Sequence, residues 1–383
     1  RCRTRRSIFE RIDLMSKTTP RQLVEQIADA VSRADRTIRL MEVCGTHTVA
    51  LFRSGVKSLL PNALRLISGP GCPVCVTSQG YIDAACDLAG REDVTICTYG
   101  DMVRVPGRRG SLEHRRAEGA DVLVVYSARD AVSHAAAHPD RKVVFLAVGF
   151  ETTAPATAAA VLEAEAKGIT NFFILSGHKL VIPAMQALLS AGDVPIDGFL
   201  CPGHVSVVIG ANAYAPIVEQ YGKPCVVAGF EPEQMLKGIL HLVRQIGRGE
   251  SRLENVYSAA VTNEGNVAAR RCMEQVFVPA DSIWRAMGTI PGSGLELREP
   301  FLPFDALVHF GLAIGPDYDP PGCRCGEVIQ GKVEPDQCNL FARQCTPAAP
   351  VGPCMVSSEG TCAAWYKYGR IQAKSPSTQA RSS

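Results

Sequence analysis

The stretch KVVFLAVGFETTAPATAAAVLEAEAK, residues 142–167, decides how the chain folds. Its opening KVVFLAV (142–148) is apolar without alternation after Lys142, as in a strand of a parallel sheet that meets water on neither face. Gly149-Phe150-Glu151 and two threonines then break the run, and Ala156–Lys167 repeats at helical spacing. A buried strand, a glycine turn and a helix make one half of a βαβ unit.

The pattern recurs up to Val227 and neighbouring residues. Strands are predicted at IRLMEV (38–43), LRLIS (64–68), VTICTY (94–99), DVLVVYS (121–127), NFFILS (171–176), DGFLC (197–201) and PCVVA (224–228). Pro183–Ala191 and Tyr214–Tyr221 read as further helices. Eight such units fit a (β/α)8 barrel or two open sheets of four. Their uneven spacing and a break near Gly119 favour the two sheets. The expected organisation is α/β: an N-terminal extension and helix (1–35), two similar open parallel-sheet domains (36–120 and 121–255), a loop-rich [4Fe–4S] domain (256–372), and a disordered tail (373–383). Gly-Phe-Glu returns at 229–231, which suggests that the edge of the second domain echoes its interior.

At 383 residues, with 46% hydrophobic and 20% charged side chains, the composition is that of a soluble protein of two or three domains. The net charge of +2 gives no sign of a nucleic-acid or membrane surface. RCRTRR at the start is not followed by the apolar run of a secretory signal. Arg1–Leu14 reads as an extension, with Met15 as an alternative start. No stretch is apolar enough to span a bilayer. Fifteen cysteines without an export signal point to metal or redox use in the cytoplasm.

In open α/β sheets, function gathers at the carboxyl ends of the strands. Here those ends hold Cys44-Gly45-Thr46-His47, Gly69-Pro70-Gly71-Cys72-Pro73-Val74-Cys75, Asp101, Glu151, His178, His204 and Glu231. Cys72 and Cys75 form a C-x-x-C pair at a helix start, where amides lower a thiol's pKa. They read as a dithiol/disulfide switch, or as a metal half-site completed by Cys44 and His47. A lone Cys44 is ordinarily a small buried hydrophobe; Gly45 and His47 beside it allow a metal-holding thiolate instead. His178 and His204 either line a cleft or cap loops, and Glu151 and Glu231 either do chemistry or bond loop amides.

Further on, Cys325, Cys338, Cys345 and Cys362 follow the pattern C-x12-C-x6-C-x16-C. A [4Fe–4S] cluster takes four such thiolates. Zinc ribbons favour close C-x2–4-C knuckles, which this set lacks. Cys323 and Cys354 lie in the same window, and spacing alone does not say which four of the six bind iron. The spare pair reads as a second redox couple or as two buried thiols. Cys2, Cys86, Cys97, Cys201, Cys225 and Cys272 read as structural. P-loop, nucleophile-elbow, H-E-x-x-H and radical-SAM patterns are absent.

Several of these motifs, in order, resemble the HypD family of [NiFe]-hydrogenase maturation factors: MEVCGTHT (41–48), GPGCPVC (69–75), GDMVRVPG (100–107), GFETTAP (149–155), PGHVSVVIG (202–210), VAGFEP (227–232), CGEV (325–328), QCNLF (337–341) and MVSSEGTCAAWY (355–366). The resemblance covers roughly residues 36–368. It implies two α/β domains and a third that carries a [4Fe–4S] cluster on Cys325, Cys338, Cys345 and Cys362. It also implies a scaffold, formed with the small partner HypC, on which Fe(CN)2CO is built. Cyanide arrives through HypE, loaded by HypF. Iron falls to Cys44 with His47 beside it, and the family dithiol to Cys72 and Cys75. Thr46, Glu151, His178, His204, Glu231 and Glu359 are then expected to line the cleft, while Cys323 and Cys354 match a pair that only some members carry. The competing reading is a [4Fe–4S]-dependent disulfide reductase with no scaffold role. A hydro-lyase, which needs one iron free of protein ligands, fits four available cysteines poorly.

Overall fold

The computed structural model describes residues 18–369. The expected tail and the extension before Met15 lie outside them, as does Cys2. All eight predicted strands form: β1 (Ile38–Glu42), β2 (Leu64–Ser68), β3 (Val94–Thr98), β4 (Asp121–Val124), β5 (Lys142–Gly149), β6 (Phe172–His178), β7 (Gly198–Pro202) and β8 (Cys225–Ala228). A ninth, β9 (Leu253–Asn255), joins them, too short and too polar to be read in advance.

These strands build two open parallel sheets, in the orders β2-β1-β7-β8-β9 and β4-β3-β5-β6. The α/β class is therefore as expected, but the sheets interleave along the chain instead of dividing at residue 120. β3 pairs with β4 and β5, while β7 returns to lie beside β1. Burial explains this. Leu40 and Met41 of β1 are fully covered, so β1 needs a neighbour on both sides, and β2 supplies only one. β3 is buried at all five positions and needs the same. The two Gly-Phe-Glu turns consequently follow β5 in one sheet and β8 in the other, so the echo runs between sheets rather than within one.

Helices cover the faces. Pro20–Ser32 begins with a capping box on Thr19 and packs Leu23, Ile27 and Val31 against Pro232–Gly247. Ala154–Ala166 and Val181–Ala191 confirm two helices from the sequence. The region after Asn263 holds more regular structure than its composition suggests. A helix, Val267–Val276, leads into an antiparallel hairpin, β10 (Phe277–Trp284) and β11 (Gly288–Leu297). The hairpin bridges Thr77 and Lys179, next to the second sheet. The cysteine-rich remainder folds back onto the first: a Cβ at Gly331 would sit 2.2 Å from Ile67 of β2. Among the described residues, no helix is long and apolar enough to cross a membrane.

Candidate functional site

Cys44 lies two residues after β1 and is the N-cap of helix Gly45–Arg53. The amides of Thr46 and His47 in the helix's first turn lie beside the Cys44 sulfur and favour a thiolate. Burial opposes them, and with the nearby Glu359 carboxylate it pushes the thiol up to about 12. In the absence of a cation, Cys44 is a neutral thiol.

The C-x-x-C turn is fitted to this position by glycine. A Cβ on Gly71 would lie 2.2 Å from the Cys44 nitrogen, and Gly45 N donates to Gly71 O at 3.0 Å. Only a residue without a side chain lets the turn sit against the Cys44 backbone. Cys72 and Cys75 are joined as a disulfide, both buried, with Cα atoms 5.2 Å apart. Beneath them, the buried Glu42 accepts from Thr48 Oγ1 (3.0 Å) and Ser68 Oγ (2.9 Å), which ties β1, the helix and β2 together. Burial raises its pKa, and among the described residues its second oxygen has no hydrogen-bond partner.

His47 does not turn its ring to the sulfur as an activating base would. Its Nε2 donates to Gly229 O at 3.0 Å, which fixes the tautomer, and among the described residues Nδ1 has no hydrogen-bond partner. Burial lowers its pKa to about 4, so the ring is neutral at physiological pH. Phe230 lies between His47 and an exposed His204, at centroid distances of 4.7 and 3.9 Å. The loop after β8 is thus bound to the Cys44 helix.

A strap from the C-terminal region closes the site. Thr46 Oγ1 donates to Glu359 Oε1 at 2.6 Å, and a Cβ on Gly45 would come within 2.6 Å of Glu359. The preceding residues are held by Asp101, after β3 of the other sheet: Asp101 Oδ2 accepts from Ser357 Oγ (3.2 Å), Ser358 N (2.8 Å) and Ser358 Oγ (2.9 Å). Three adjacent residues therefore connect both sheets beside Cys44.

Cys323, Cys325, Cys338, Cys345, Cys354 and Cys362 all line one pocket. Cys325 N donates to Cys323 Sγ at 3.4 Å and Cys362 N to Cys354 Sγ at 3.2 Å. The Cys323 thiol is raised first by the Cys325 thiol beside it and then by burial. Among the described residues, no group of three or more His, Cys, Asp or Glu is arranged to hold a metal ion. The donor set nonetheless fits an iron–sulfur cluster: six soft ligands share one enclosed space, and the fully buried Arg285, whose Nη1 has no hydrogen-bond partner among the described residues, is a cation beside Cys325, although the neighbouring thiols and burial keep that thiol raised. Cys354 lines the pocket with all four cysteines expected as ligands and accepts from Cys362 N, so the pocket does not separate it from them.

Other expected residues lie elsewhere. Glu151 and His178 sit at the carboxyl edge of the second sheet: Glu151 accepts from Val181 N at 2.9 Å, and His178 Nε2 meets Thr157 Oγ1 at 2.9 Å. Glu231 is exposed at the start of helix Pro232–Gly247. Sequence reasoning gave no role to Asp101, Phe230, Glu42 or Arg285. Asp101 and Phe230 stand in quoted strand-end motifs, whereas nothing local marks a buried Arg285.

The family model described as the hydrogenase formation hypA family, HypD, matches residues 18–369. The chain belongs to the HypD family. It is 48% identical to the hydrogenase maturation factor HypD of Azotobacter vinelandii, over 92% of this chain and 94% of the relative. Identity to the HypD maturation factor of Escherichia coli K12 is 46%, over 91% of this chain and 94% of the relative. A putative hydrogenase expression/formation protein of Methanocaldococcus jannaschii is 42% identical, over 94% of this chain and the full length of the relative. HypD-family membership thus extends over both sheets and the cysteine pocket.

Proposed function

We propose that this chain is a hydrogenase maturation factor which, with the small partner HypC, holds the iron on which Fe(CN)2CO is assembled. The observation that carries this reading is the surroundings of Cys44: a buried thiol under helix amides, against a disulfide-bearing turn, beneath a carboxylate strap. Iron here is cargo. A cation replaces the proton that burial keeps on Cys44, and the Thr46 and His47 amides then donate to a metal-bound thiolate. Cyanide and CO favour low-spin Fe(II), and a neutral His47 adds no charge beside it.

The Cys72–Cys75 disulfide takes two electrons and two protons to become a dithiol, and returns both when it closes. That couple stands against the Cys44 backbone, where ligand reduction or transfer would occur. Cys325, Cys338, Cys345 and Cys362 would hold a [4Fe–4S] cluster, which supplies single electrons when bound. Cys323 and Cys354, which line the same pocket, would serve as a second redox couple. HypE, carrying cyanide from HypF, is the transient partner, and the cytoplasm is the compartment.

A free-standing disulfide reductase is less well supported, because Cys72 and Cys75 are 5% and 0% exposed. A bulky disulfide has no approach to them. The test is infrared spectroscopy on the chain co-produced with HypC. Cyanide and CO bands are expected in the parent and absent in Cys44→Ala. Bands that persist in the variant overturn the assignment, and turnover of a generic disulfide by the chain alone favours the reductase.

A further inference from the structure

The second sheet has its own strand-end cleft, distant in role from Cys44. β6 runs directly into Lys179, whose backbone N donates to Gly149 O while Leu180 N donates to Ser293 O of the hairpin. This lays β10 and β11 over the end of β6. Between them opens a cleft of about 420 Å³, lined by Tyr81, Ser176, His178, Lys179, Ser282 and Asp305 among others. Open α/β sheets bind their ligands at this edge.

Lys179 is 4% exposed. Its Nζ donates to Ser282 Oγ at 2.8 Å and to Ile283 O at 2.9 Å, and lies 5.3 Å from the centre of the Trp284 ring. Both acceptors are neutral, and among the described residues no carboxylate forms an ion pair with it. Asp317 acts on it from farther away, with its oxygens already accepting from Gln79 N and Ala286 N. An ammonium buried without a counter-ion is costly, so the fold favours the free amine. Burial brings this lysine down to about 7. An amine with an available lone pair, fixed by two hydrogen bonds on a cleft wall, is a nucleophile in the sense of a Schiff-base lysine.

We propose that Lys179 is the reactive amine of a second ligand site, one that takes a small aldehyde or ketone as an imine. The Nζ lone pair attacks the carbonyl carbon and a C–N bond forms. The nitrogen gives up its two protons, the carbonyl oxygen leaves as water with them, and the C=N bond remains. Amine and carbonyl thus give imine and water, with no oxidant or reductant. Ser282 Oγ, bonded to Nζ, is placed to pass a proton between nitrogen and oxygen. The cleft wall also selects the class of electrophile. It carries Asp281, Glu296 and Asp305, which disfavour an anionic product such as a carbamate and favour a protonated imine.

The test uses the full chain, limiting 13C-formaldehyde as the carbonyl probe and cyanoborohydride to trap the imine, with peptide mapping across pH 6 to 9. An ordinary lysine, pKa about 10.4, is neutral in roughly one molecule in 2500 at pH 7. Lys179 should therefore be labelled at least about tenfold faster than surface lysines at that pH, with a half-maximal rate near pH 7. Labelling at the surface rate, or only above about pH 9, overturns the proposal. A second readout does not depend on reagent access. In Trp365→Phe, which leaves Trp284 as the one tryptophan, emission should titrate near pH 7, and the added Lys179→Gln should abolish the step. A flat titration in Trp365→Phe alone overturns the free-amine premise.

Discussion

Replacing Asp101 by Ala tests whether the Ser357–Glu359 strap governs access to Cys44. Asp101 Oδ2 accepts three hydrogen bonds from Ser357 and Ser358, and Glu359 N in turn donates to Ser357 Oγ at 3.2 Å. Hydrogen bonds to a charged group contribute about 1.5–3 kcal/mol each when buried. Asp101 is only half-buried and one oxygen takes all three, so together they are worth about 2 kcal/mol. At about 1.4 kcal/mol per factor of ten, losing them raises the open fraction of the strap roughly thirtyfold. Iodoacetamide alkylation of Cys44, measured by mass mapping under conditions where opening precedes reaction, should accelerate by that factor. Asp101→Asn keeps an acceptor for Ser358 N and should show about a fivefold increase, near 1 kcal/mol. If Asp101→Ala alkylates Cys44 within twofold of the parent, the strap does not control the site and the reasoning fails.

Other perturbations follow from the same geometry. Because burial holds the Cys44 thiol at about 12, binding of Fe(II) must displace its proton, so iron affinity should rise with pH between 6 and 9 by up to about tenfold per unit; calorimetry in buffers of different ionisation enthalpy should detect one released proton, and Cys44→Ser should lose it. Gly71→Ala places a methyl 2.2 Å from the Cys44 nitrogen and should destabilise the chain by about 3 kcal/mol or more in urea melts. Glu151, raised to about 7 by burial, is protonated in the fold above the pH at which it ionises in the unfolded chain. The native state therefore binds the extra proton, and stability due to this group falls as pH rises from 4.5 to 7, by at most about 3 kcal/mol. Glu151→Gln should flatten that part of a stability-versus-pH curve. His47 and His178, both lowered to about 4, act in the opposite direction: the unfolded chain binds their protons first, so their contribution is lost as pH falls below about 6.5.

Much of the fold was legible because buried parallel strands leave so plain a signature. Runs such as VVFLAV (143–148) are apolar without a break, and each of the eight became a strand. What could not be read is which strands share a sheet. Leu40 and Met41 show that β1 is central, but local pattern does not say that its missing neighbour, β7, lies more than 150 residues away. The hairpin after Val276 was missed for a different reason. Phe277–Trp284 contains Pro279 and is exposed along much of its length, so it lacks the continuous hydrophobicity that marked the others. At the site, Cys44, Cys72 and Cys75 were visible as chemistry-bearing types after strands. Their contact depends on Gly71 and Gly45, residues whose value is an absent side chain. Glu359 was legible only through resemblance, since 313 residues separate it from Thr46. His47 was read as a partner for the thiol, but its ring binds Gly229 across the fold.

The central claim is that Cys44 holds the iron. Mössbauer spectroscopy of the 57Fe-enriched chain co-produced with HypC tests it most directly, because low-spin Fe(II) and a [4Fe–4S] cluster give separate signals. The parent should show both. Cys44→Ala should keep the cluster signal and lose the low-spin doublet, whereas a doublet that survives undiminished in Cys44→Ala would contradict the account.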